Sequence, residues 1–290
     1  MSTHLIGTIG LELTELEHIL NSGCPIGLSP EATKAVACSY KYLADRLKRS
    51  DEPIYGGNTG FGSLYDKSIA KKDLQQLQKN LVMSHACGSG DPVPTDIVRA
   101  MLILKVQNMA FGHSAVAPAT VKRLIDMYNA DMLPIVYERG SLGASGDLAP
   151  LAHLSLPLLG LGEVFFQGKR MKSSAALKKQ GWKPLELGPK EGLALLNGTQ
   201  FMNAYASLLT LKATRLAQLA DVIGALSLDA YDGRIEPFHP SVHAVRPHPG
   251  QAVVASNINA LLKGSALIKR KKVHVQDPYS FRCIPQVHGA

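Results

Sequence analysis

Cysteine is scarce in this sequence, and its distribution excludes two kinds of site. The 290 residues contain four cysteines, Cys24, Cys38, Cys87 and Cys283, and no pair has the CxxC spacing. Neither a disulfide framework nor a zinc site built on cysteine is therefore predicted. Reduced thiols in the cytoplasm are the simplest interpretation.

The ten histidines do not form a metal-binding pattern either. The tightest group is His239, His243 and His248, but prolines between and around them interrupt any helix that would align their rings. No carboxylate or cysteine is spaced to complete a tetrahedral site. We therefore predict no metal cofactor, and interpret these residues as surface or hydrogen-bonded histidines.

Long apolar runs are absent as well. No segment is apolar over the roughly 20 residues that a helix needs to span a bilayer, so no membrane partner is expected. The first twenty residues contain three glutamates instead of a basic start followed by an apolar run. This pattern predicts no secretory signal and favours a cytoplasmic location.

The excess of basic residues does not by itself indicate a nucleic-acid partner. The formal net charge is +8, and residues 269–272 form the densest basic run. Aromatic residues make up only 6% of the chain and do not alternate with this run. No nucleic-acid-binding motif accompanies it. We interpret the run as a solvated helix end and predict no nucleic-acid binding.

The sequence does contain clear helical periodicity. Hydrophobic residues make up 46% of the chain and charged residues 19%, as is typical of a globular protein. Ser29 followed by Pro30 has the pattern of a helix start. Residues 199–232 hold an apolar helical period without a proline, which is typical of a long bundle helix. We therefore predict a mainly α fold.

The most informative segment is Ala144-Ser145-Gly146, because this tripeptide can turn its own backbone into an electrophile. If the amide nitrogen of Gly146 attacks the carbonyl carbon of Ala144 and two waters leave, a methylidene-imidazolone (MIO) ring forms, with a methylidene on the dehydrated Ser145. Glycine lacks the Cβ that would obstruct the fold, serine supplies the departing hydroxyl, and alanine is small. Asp147 follows as a predicted N-cap for a helix over residues 148–159. An ordinary turn is the alternative interpretation of the tripeptide alone.

Further blocks accompany the tripeptide along the chain. They are residues 55–62 (YGGNTGFG), Ser84-His85, residues 192–200 (GLALLNGTQ) and residues 276–289 (QDPYSFRCIPQVHG). With these blocks, the chain resembles the histidine and aromatic amino-acid ammonia-lyase family over essentially its whole length. The resemblance implies an autocatalytic MIO, an MIO-bearing catalytic region at residues 1–198, and the first part of a central helical bundle at residues 199–290. It also implies a homo-oligomer, usually a tetramer whose active sites draw on several subunits.

Five polar residues of these blocks are candidates for the chemistry. Tyr55 heads a glycine-rich loop, and it resembles the family's tyrosine that removes the substrate β-proton; a core tyrosine beside a turn is the alternative. Arg282 offers a bidentate fork for the substrate carboxylate, with a surface salt bridge as the alternative. Asn197, Gln276 and Tyr279 resemble residues that hydrogen-bond the ring carbonyl or position the substrate. They would otherwise be capping or turn residues.

His85 bears on the identity of the amino-acid substrate. An imidazole there pairs with a histidine side chain or with a tyrosine hydroxyl, so both substrates stay open on chemical grounds. Residues 246–251 (RPHPGQ) and 276–289 look more like those of the histidine enzymes. We therefore predict deamination of L-histidine to trans-urocanate and ammonia. A tyrosine or phenylalanine ammonia-lyase, or an aminomutase, is the alternative.

Length is the main departure from the resemblance. Family members are considerably longer, and this chain stops at Ala290. We expect a truncated chain without the rest of the bundle and without the region that supplies a glutamate and an aromatic residue to the pocket. Loss of that much bundle is expected to expose apolar helix faces. The alternative from another class is therefore an inactive fragment that needs a complementary polypeptide.

Overall fold

The computed structural model describes residues 2–50, 52–62, 69–142 and 145–290, and the protein is mainly helical, as predicted. It forms two compact units, Met1–Leu208 and Leu209–Ala290. The functional division at residue 198 that the resemblance implies stays a prediction. Within the described ranges, no helix is both long enough and apolar enough to cross a bilayer.

The first unit consists of helices with short strands between them. Its helices are α1 (Leu13–Ser22), α2 (Pro30–Arg49), α3 (Leu74–His85), α4 (Thr95–Ala110), α5 (Pro118–Asn129), α6 (Leu148–Ser155), α7 (Ser173–Lys179) and α8 (Glu191–Leu196). Strands β1 (His4–Ile6) and β2 (Ile26–Leu28) pair in parallel. Strand β3 (Ser89–Pro92) pairs antiparallel with β5 (Tyr137–Arg139), and β4 (Leu133–Pro134), β6 (Glu163–Phe166) and β7 (Lys169–Lys172) form an antiparallel sheet.

The helix start predicted at Ser29 is confirmed in α2. The Ser29 hydroxyl accepts a hydrogen bond from the Ala32 backbone N–H at 3.1 Å, and Pro30 occupies the first helical position. The hydroxyl thus satisfies one of the N–H groups that the first turn of a helix leaves without an intrahelical acceptor.

Helix α4 lies in the core of the first unit. It packs against α1, α2 and α5, and the side chains of Met101, Leu102 and Ile103 are completely buried. A helix that is apolar on all sides is stable only inside a protein. Lys105 of the same helix is buried just as completely, and Gln107 nearly so. The helix therefore carries two polar side chains whose hydrogen-bonding groups need partners inside the protein.

Three helices of the first unit place predicted site residues at their ends. Helix α3 ends at His85, α6 begins directly after Asp147, and α8 ends just before Asn197. These three helices pack against one another. The segments that follow or precede them therefore belong to one helical cluster.

The second unit is built on the long helix predicted over residues 199–232. This helix, α9, runs over Gln200–Ala230 and begins within the first unit. The others are α10 (Pro240–Ala244), α11 (Pro249–Leu261), α12 (Tyr279–Arg282) and α13 (Ile284–His288). Leu228, Phe238 and Ile258 form the centre of its own small core, and none of them is exposed to solvent.

Apolar side chains also line an uncovered face of α9. Leu209, Leu216, Leu219, Ile223 and Leu226 are each exposed over more than half of their surface. Their spacing of seven, three, four and three residues puts them on one side of the helix. We call this set the α9 stripe. A contiguous apolar surface of this kind is typical of a contact with another polypeptide.

Candidate active site

Ser145, whose hydroxyl the predicted ring chemistry removes, faces Asn197. Its Oγ donates a hydrogen bond to Asn197 Oδ1 at 3.3 Å. Asn197 directly follows α8, where its backbone N–H and its side-chain amide both donate to the Leu193 carbonyl. Ala144, the first residue of the tripeptide, lies outside the described residues. The fold thus brings Ser145 together with a second predicted site residue that is 52 positions away.

Gly146 lies in a turn that only glycine fits. Its φ is +83°, and a Cβ at this position would lie 2.1 Å from the carbonyl oxygen of Gly198. The two glycines pair as an isolated parallel bridge, and the Asp147 N–H donates to the same carbonyl at 2.8 Å. The backbone is therefore compressed where ring closure requires the Gly146 nitrogen to fold back on the chain. The described residues fit the MIO ring that the tripeptide predicts.

Asp147 occupies the predicted N-cap position of α6, but its side chain serves a second helix. Helix α6 ends at Ser155 and continues as a short 3₁₀ turn, and Asp147 makes no side-chain bond to it from the N-cap position. The buried carboxylate instead accepts a hydrogen bond at 3.0 Å from the backbone N–H of Met202, in the first turn of α9. That turn carries no acidic residue of its own, so Asp147 supplies the acceptor that its N–H groups need. Asp147 is therefore the N-cap residue of α6, as predicted, but its side chain bonds to α9 and not to the first turn of α6.

Tyr55 is half exposed, and its loop is tied to the neighbouring helices by a residue that the sequence did not single out. The Tyr55 Oη accepts a hydrogen bond from the Gly62 N–H at 3.3 Å. Gln78 of α3, which is completely buried, donates to the Gly56 carbonyl at 3.2 Å and accepts from the Gly192 N–H of α8 at 2.8 Å. Gln78 therefore links the Tyr55 loop to the helix that precedes Asn197. A glutamine among the apolar positions of α3 is the only sequence signal for this role.

His85, the last residue of α3, is partly exposed. Its Nδ1 lies 2.9 Å from the Leu81 carbonyl oxygen and 3.1 Å from Ser84 Oγ. Because a carbonyl oxygen only accepts, we assign the ring proton to Nδ1, which leaves Nε2 as an acceptor in the neutral ring. An acceptor at Nε2 can receive a hydrogen bond from the imidazole N–H or the phenol O–H of a ligand.

The second unit holds the remaining three predicted site residues in one short segment. The Arg282 guanidinium carbon lies 4.2 Å from the centre of the Tyr279 ring. With the Gln276 amide oxygen turned toward it, the guanidinium donates from Nη2 at 2.8 Å and from Nη1 at 3.1 Å. Within the described part of the chain, Arg282 has no carboxylate partner. An arginine held by neutral groups keeps its charge for an anionic ligand. Arg282 lines a cavity of about 450 Å³ that Arg234, Glu236 and Asp277 also line, and Arg234 is paired with Glu236.

Comparison with known families identifies the family to which the chain belongs. The sequence profile of the aromatic amino acid lyase family matches residues 11–290. The chain belongs to this family. The mainly helical fold expected of such a lyase is the fold observed.

Relatives of this lyase chain differ in substrate and are longer. Histidine ammonia-lyase from Myxococcus xanthus is 49% identical over 97% of this chain and 55% of its own length. The structure of histidine ammonia-lyase from Trypanosoma cruzi has a TM-score of 0.88 at 34% identity, with 99% of this chain and 54% of that chain covered. Tyrosine aminomutase from Streptomyces globisporus has a TM-score of 0.91 at 33% identity, with 99% and 58% covered. The chain spans about half the length of the curated relatives it matches.

Gly146→Ala is expected to prevent formation of the turn in this lyase chain. The new Cβ meets backbone rather than a flexible side chain, so the Gly146–Gly198 bridge has to separate, and we expect the free energy of unfolding to fall by roughly 3 kcal/mol. Gly168→Ala is the matched control, because its φ is +73° with no atom within 4 Å of the added Cβ. It carries only the left-handed strain of about 1–2 kcal/mol. Urea denaturation checks this, and equal losses in both variants would contradict the compression at Gly146.

The loop after His85 is held by His153 of α6. The Gly88 N–H donates to His153 Nε2 at 2.9 Å, so Nδ1 carries the ring proton. The Tyr137 ring packs edge-on against the imidazole, with 5.1 Å between ring centres. Burial lowers the pKa of His153 below its ordinary value of 6.5. The neutral ring is the form that accepts from Gly88.

Acidification is expected to destabilise the chain through His153. Because the pKa of this ring is lower in the folded chain than in the unfolded one, the unfolded state binds the proton more readily as the pH falls below 6.5. We expect the unfolding free energy to fall from pH 7 to pH 5 by more in the wild type than in His153→Gln, which keeps an acceptor that does not titrate. Urea denaturation at several pH values measures the difference. Parallel pH curves for the two proteins would argue against a lowered pKa at this position.

Two of the histidines that lie close together in the sequence, His239 and His243, have hydrogen-bond partners in the structure. His243 Nδ1 lies 2.8 Å from the Gln251 amide nitrogen, and His239 Nδ1 lies 2.8 Å from Ser241 Oγ. Among the residues that the structure describes, no three histidine, cysteine or acidic side chains come together as a metal site.

Proposed function

We propose that this chain is the MIO-bearing part of a histidine ammonia-lyase, which converts L-histidine to trans-urocanate and ammonia without an oxidant. The observation that carries the proposal is the compressed turn in which Ser145 Oγ bonds Asn197 while Gly146 lies against Gly198. A serine flanked by such a backbone is what ring closure requires. The Myxococcus xanthus relative, at 49% identity, is a histidine ammonia-lyase, which favours histidine over other aromatic amino acids.

The ring that this tripeptide forms supplies an electrophilic methylidene carbon, which no natural side chain offers. The chain's own residues bind, orient and move protons around it. Before the ring forms, Asn197 Oδ1 holds the position of Ser145 Oγ. Around the finished ring, the Arg282 fork binds the substrate carboxylate. Tyr55 Oη removes the β-proton, and His85 Nε2 accepts a hydrogen bond from the substrate ring. Gln276 and Tyr279 hold the guanidinium of Arg282 in place.

The first test is to incubate the purified chain with L-histidine and follow the near-ultraviolet absorbance of urocanate, while intact mass is measured on the same sample. A chain two waters lighter than its sequence, with urocanate formed, supports the proposal in full. A chain at its sequence mass with no product contradicts it.

Tyrosine or phenylalanine lyase and aminomutase activities are separate outcomes of the same assay. The Nε2 acceptor of His85 also suits a phenol O–H. Release of a cinnamate-type product from L-tyrosine or L-phenylalanine, or of a β-amino acid without ammonia, by a chain that leaves L-histidine unchanged would replace histidine as the substrate.

The α9 stripe favours a second candidate, a fragment that acts only with a complementary polypeptide. Its exposed leucines and isoleucine offer an apolar surface for further bundle helices or for other subunits of a homo-oligomer. On this hypothesis, urocanate forms only after the C-terminal half of the Myxococcus xanthus relative is added. Leu216→Asp with Leu219→Asp is then expected to abolish that rescue, whereas exchange of the exposed Lys263 for Asp leaves it unchanged. Activity of the chain alone would exclude this candidate.

A further inference from the structure

Lys105 is a buried amine whose position nothing in the catalytic assignment above explains. Its side chain extends from α4 and is completely buried, as are those of Met101 and Val106 on the same helix. Among the described residues, no carboxylate neutralises it, and burial lowers the pKa of the amine to about 7. Burying a lysine costs free energy that an apolar side chain of similar size avoids. A specific role for the amine would account for this cost.

The partner of Lys105 is the backbone of a predicted site residue. Lys105 Nζ donates a hydrogen bond to the Asn197 carbonyl oxygen at 3.0 Å. Asn197 is the C-cap of α8, where carbonyl groups have no intrahelical donor and a positive group is favoured. The same residue receives the Ser145 hydroxyl on its side chain. Lys105 therefore holds the main chain of the residue whose side chain holds Ser145.

The next peptide group carries this restraint to Gly146. The Asn197 carbonyl belongs to the planar peptide that leads into Gly198. Gly198 has a φ of +145°, a conformation that glycine reaches and leaves easily. Its own carbonyl receives the Asp147 N–H and lies against Gly146. A bond that fixes the Asn197–Gly198 peptide therefore also sets the surface against which the Ser145–Gly146 turn is compressed.

We propose that Lys105 is a positioning residue for ring formation, which holds the Asn197–Gly198 peptide so that the Ser145–Gly146 turn stays closed. The inference rests on the proposed function, since it concerns the making of the same ring. In that step, the Gly146 nitrogen bonds to the Ala144 carbonyl carbon, and the carbonyl oxygen leaves as water with the N–H protons of Gly146 and Ser145. The Ser145 hydroxyl leaves as the second water with the Ser145 α-proton. Lys105 Nζ bonds to Asn197 and not to Ser145 or Gly146, so it acts through Asn197.

The test compares Lys105→Met with Gln107→Met, and the readout is intact mass under denaturing conditions. Gln107 lies on the same helix and is nearly as buried, but it donates to the carbonyls of Gly7 and Ile9, away from the tripeptide. We expect the wild type and Gln107→Met to be two waters lighter than their sequences. In Lys105→Met, loss of one hydrogen bond to the loop is expected to lower the cyclised fraction at a fixed time by roughly tenfold.

Circular dichroism and thermal unfolding on the same samples separate positioning from folding. Lys105→Met is expected to keep its helical signal and to melt no lower than the wild type, because methionine removes a buried amine. A folded Lys105→Met chain that is cyclised as completely as Gln107→Met overturns the inference. A Lys105→Met chain that loses its helical signal also overturns it, because Lys105 is then needed for folding. If the wild type itself stands at its sequence mass, the proposed function fails and the role of Lys105 fails with it. The two failures are therefore distinguishable.

Discussion

Replacing Ser145 with alanine is expected to abolish deamination, because no methylidene forms without the serine hydroxyl. Enzymes accelerate reactions by at least about 10⁶-fold, while one positioned base contributes no more than about 10⁴-fold. The electrophile therefore accounts for at least roughly 10²-fold of the rate, and we expect turnover by Ser145→Ala to fall below detection. Ammonia release and intact mass measure the result. They are measured on the chain alone if it turns over substrate, and otherwise on the chain together with the complementary polypeptide.

Ser155→Ala is the matched control for this change. Ser155 is buried near the end of α6, the helix that begins after the tripeptide, and its hydroxyl donates only to the Leu151 carbonyl of the same helix. We expect Ser155→Ala to keep both the two-water loss and the turnover. Undiminished ammonia release by Ser145→Ala would refute the ring as the electrophile.

The second large effect is expected at Arg282. On the proposed mechanism, Arg282→Ala removes the charged fork that donates two hydrogen bonds to the substrate carboxylate, which is then desolvated without a partner. We expect kcat/KM for deamination to fall by roughly 10²-fold or more. Arg282→Lys restores the charge without the planar fork, so we expect it to recover only part of the loss. Steady-state kinetics with intact mass on each variant check that the ring still forms.

The control for Arg282 is an exposed arginine in the same unit. Arg270→Ala removes one positive charge from the densest basic run, and we expect its kinetics to match those of the wild type. Wild-type kinetics in Arg282→Ala would reassign this arginine to structure. Equal losses in both variants would point to long-range charge instead of a bound carboxylate.

Local patterns predicted the helices well, since their causes lie within a few residues. The start of α2 follows from the Ser29 hydroxyl and the fixed φ of Pro30. The length of α9 follows from a proline-free apolar period. The same logic placed Asp147 correctly at the N-cap position of α6. It did not show that the carboxylate accepts from the Met202 N–H, 55 positions later.

The residues that sequence reasoning missed are buried polar groups with distant partners. Gln78 accepts a hydrogen bond from Gly192, 114 positions away, and Lys105 donates one to Asn197, 92 positions away. Both stand in helices whose apolar pattern predicts core positions, so periodicity alone offers no role for them. The sequence signal for Lys105 was a single lysine inside the apolar run of α4. A lysine is almost never fully buried unless it has a partner, so a lysine in such a run indicates a buried partner.

The sequence by itself determined the mainly α fold, the family and the tripeptide whose covalent chemistry needs alanine, serine and glycine in that order. These depend on residue types at adjacent or regularly spaced positions. Only the tertiary structure decided that Gly198 faces Gly146, that the Asp147 carboxylate accepts from the first turn of α9 and that Lys105 holds Asn197. The reason is physical, since a buried donor takes whichever acceptor the packing of helices brings within about 3 Å, and that packing joins residues far apart in the chain.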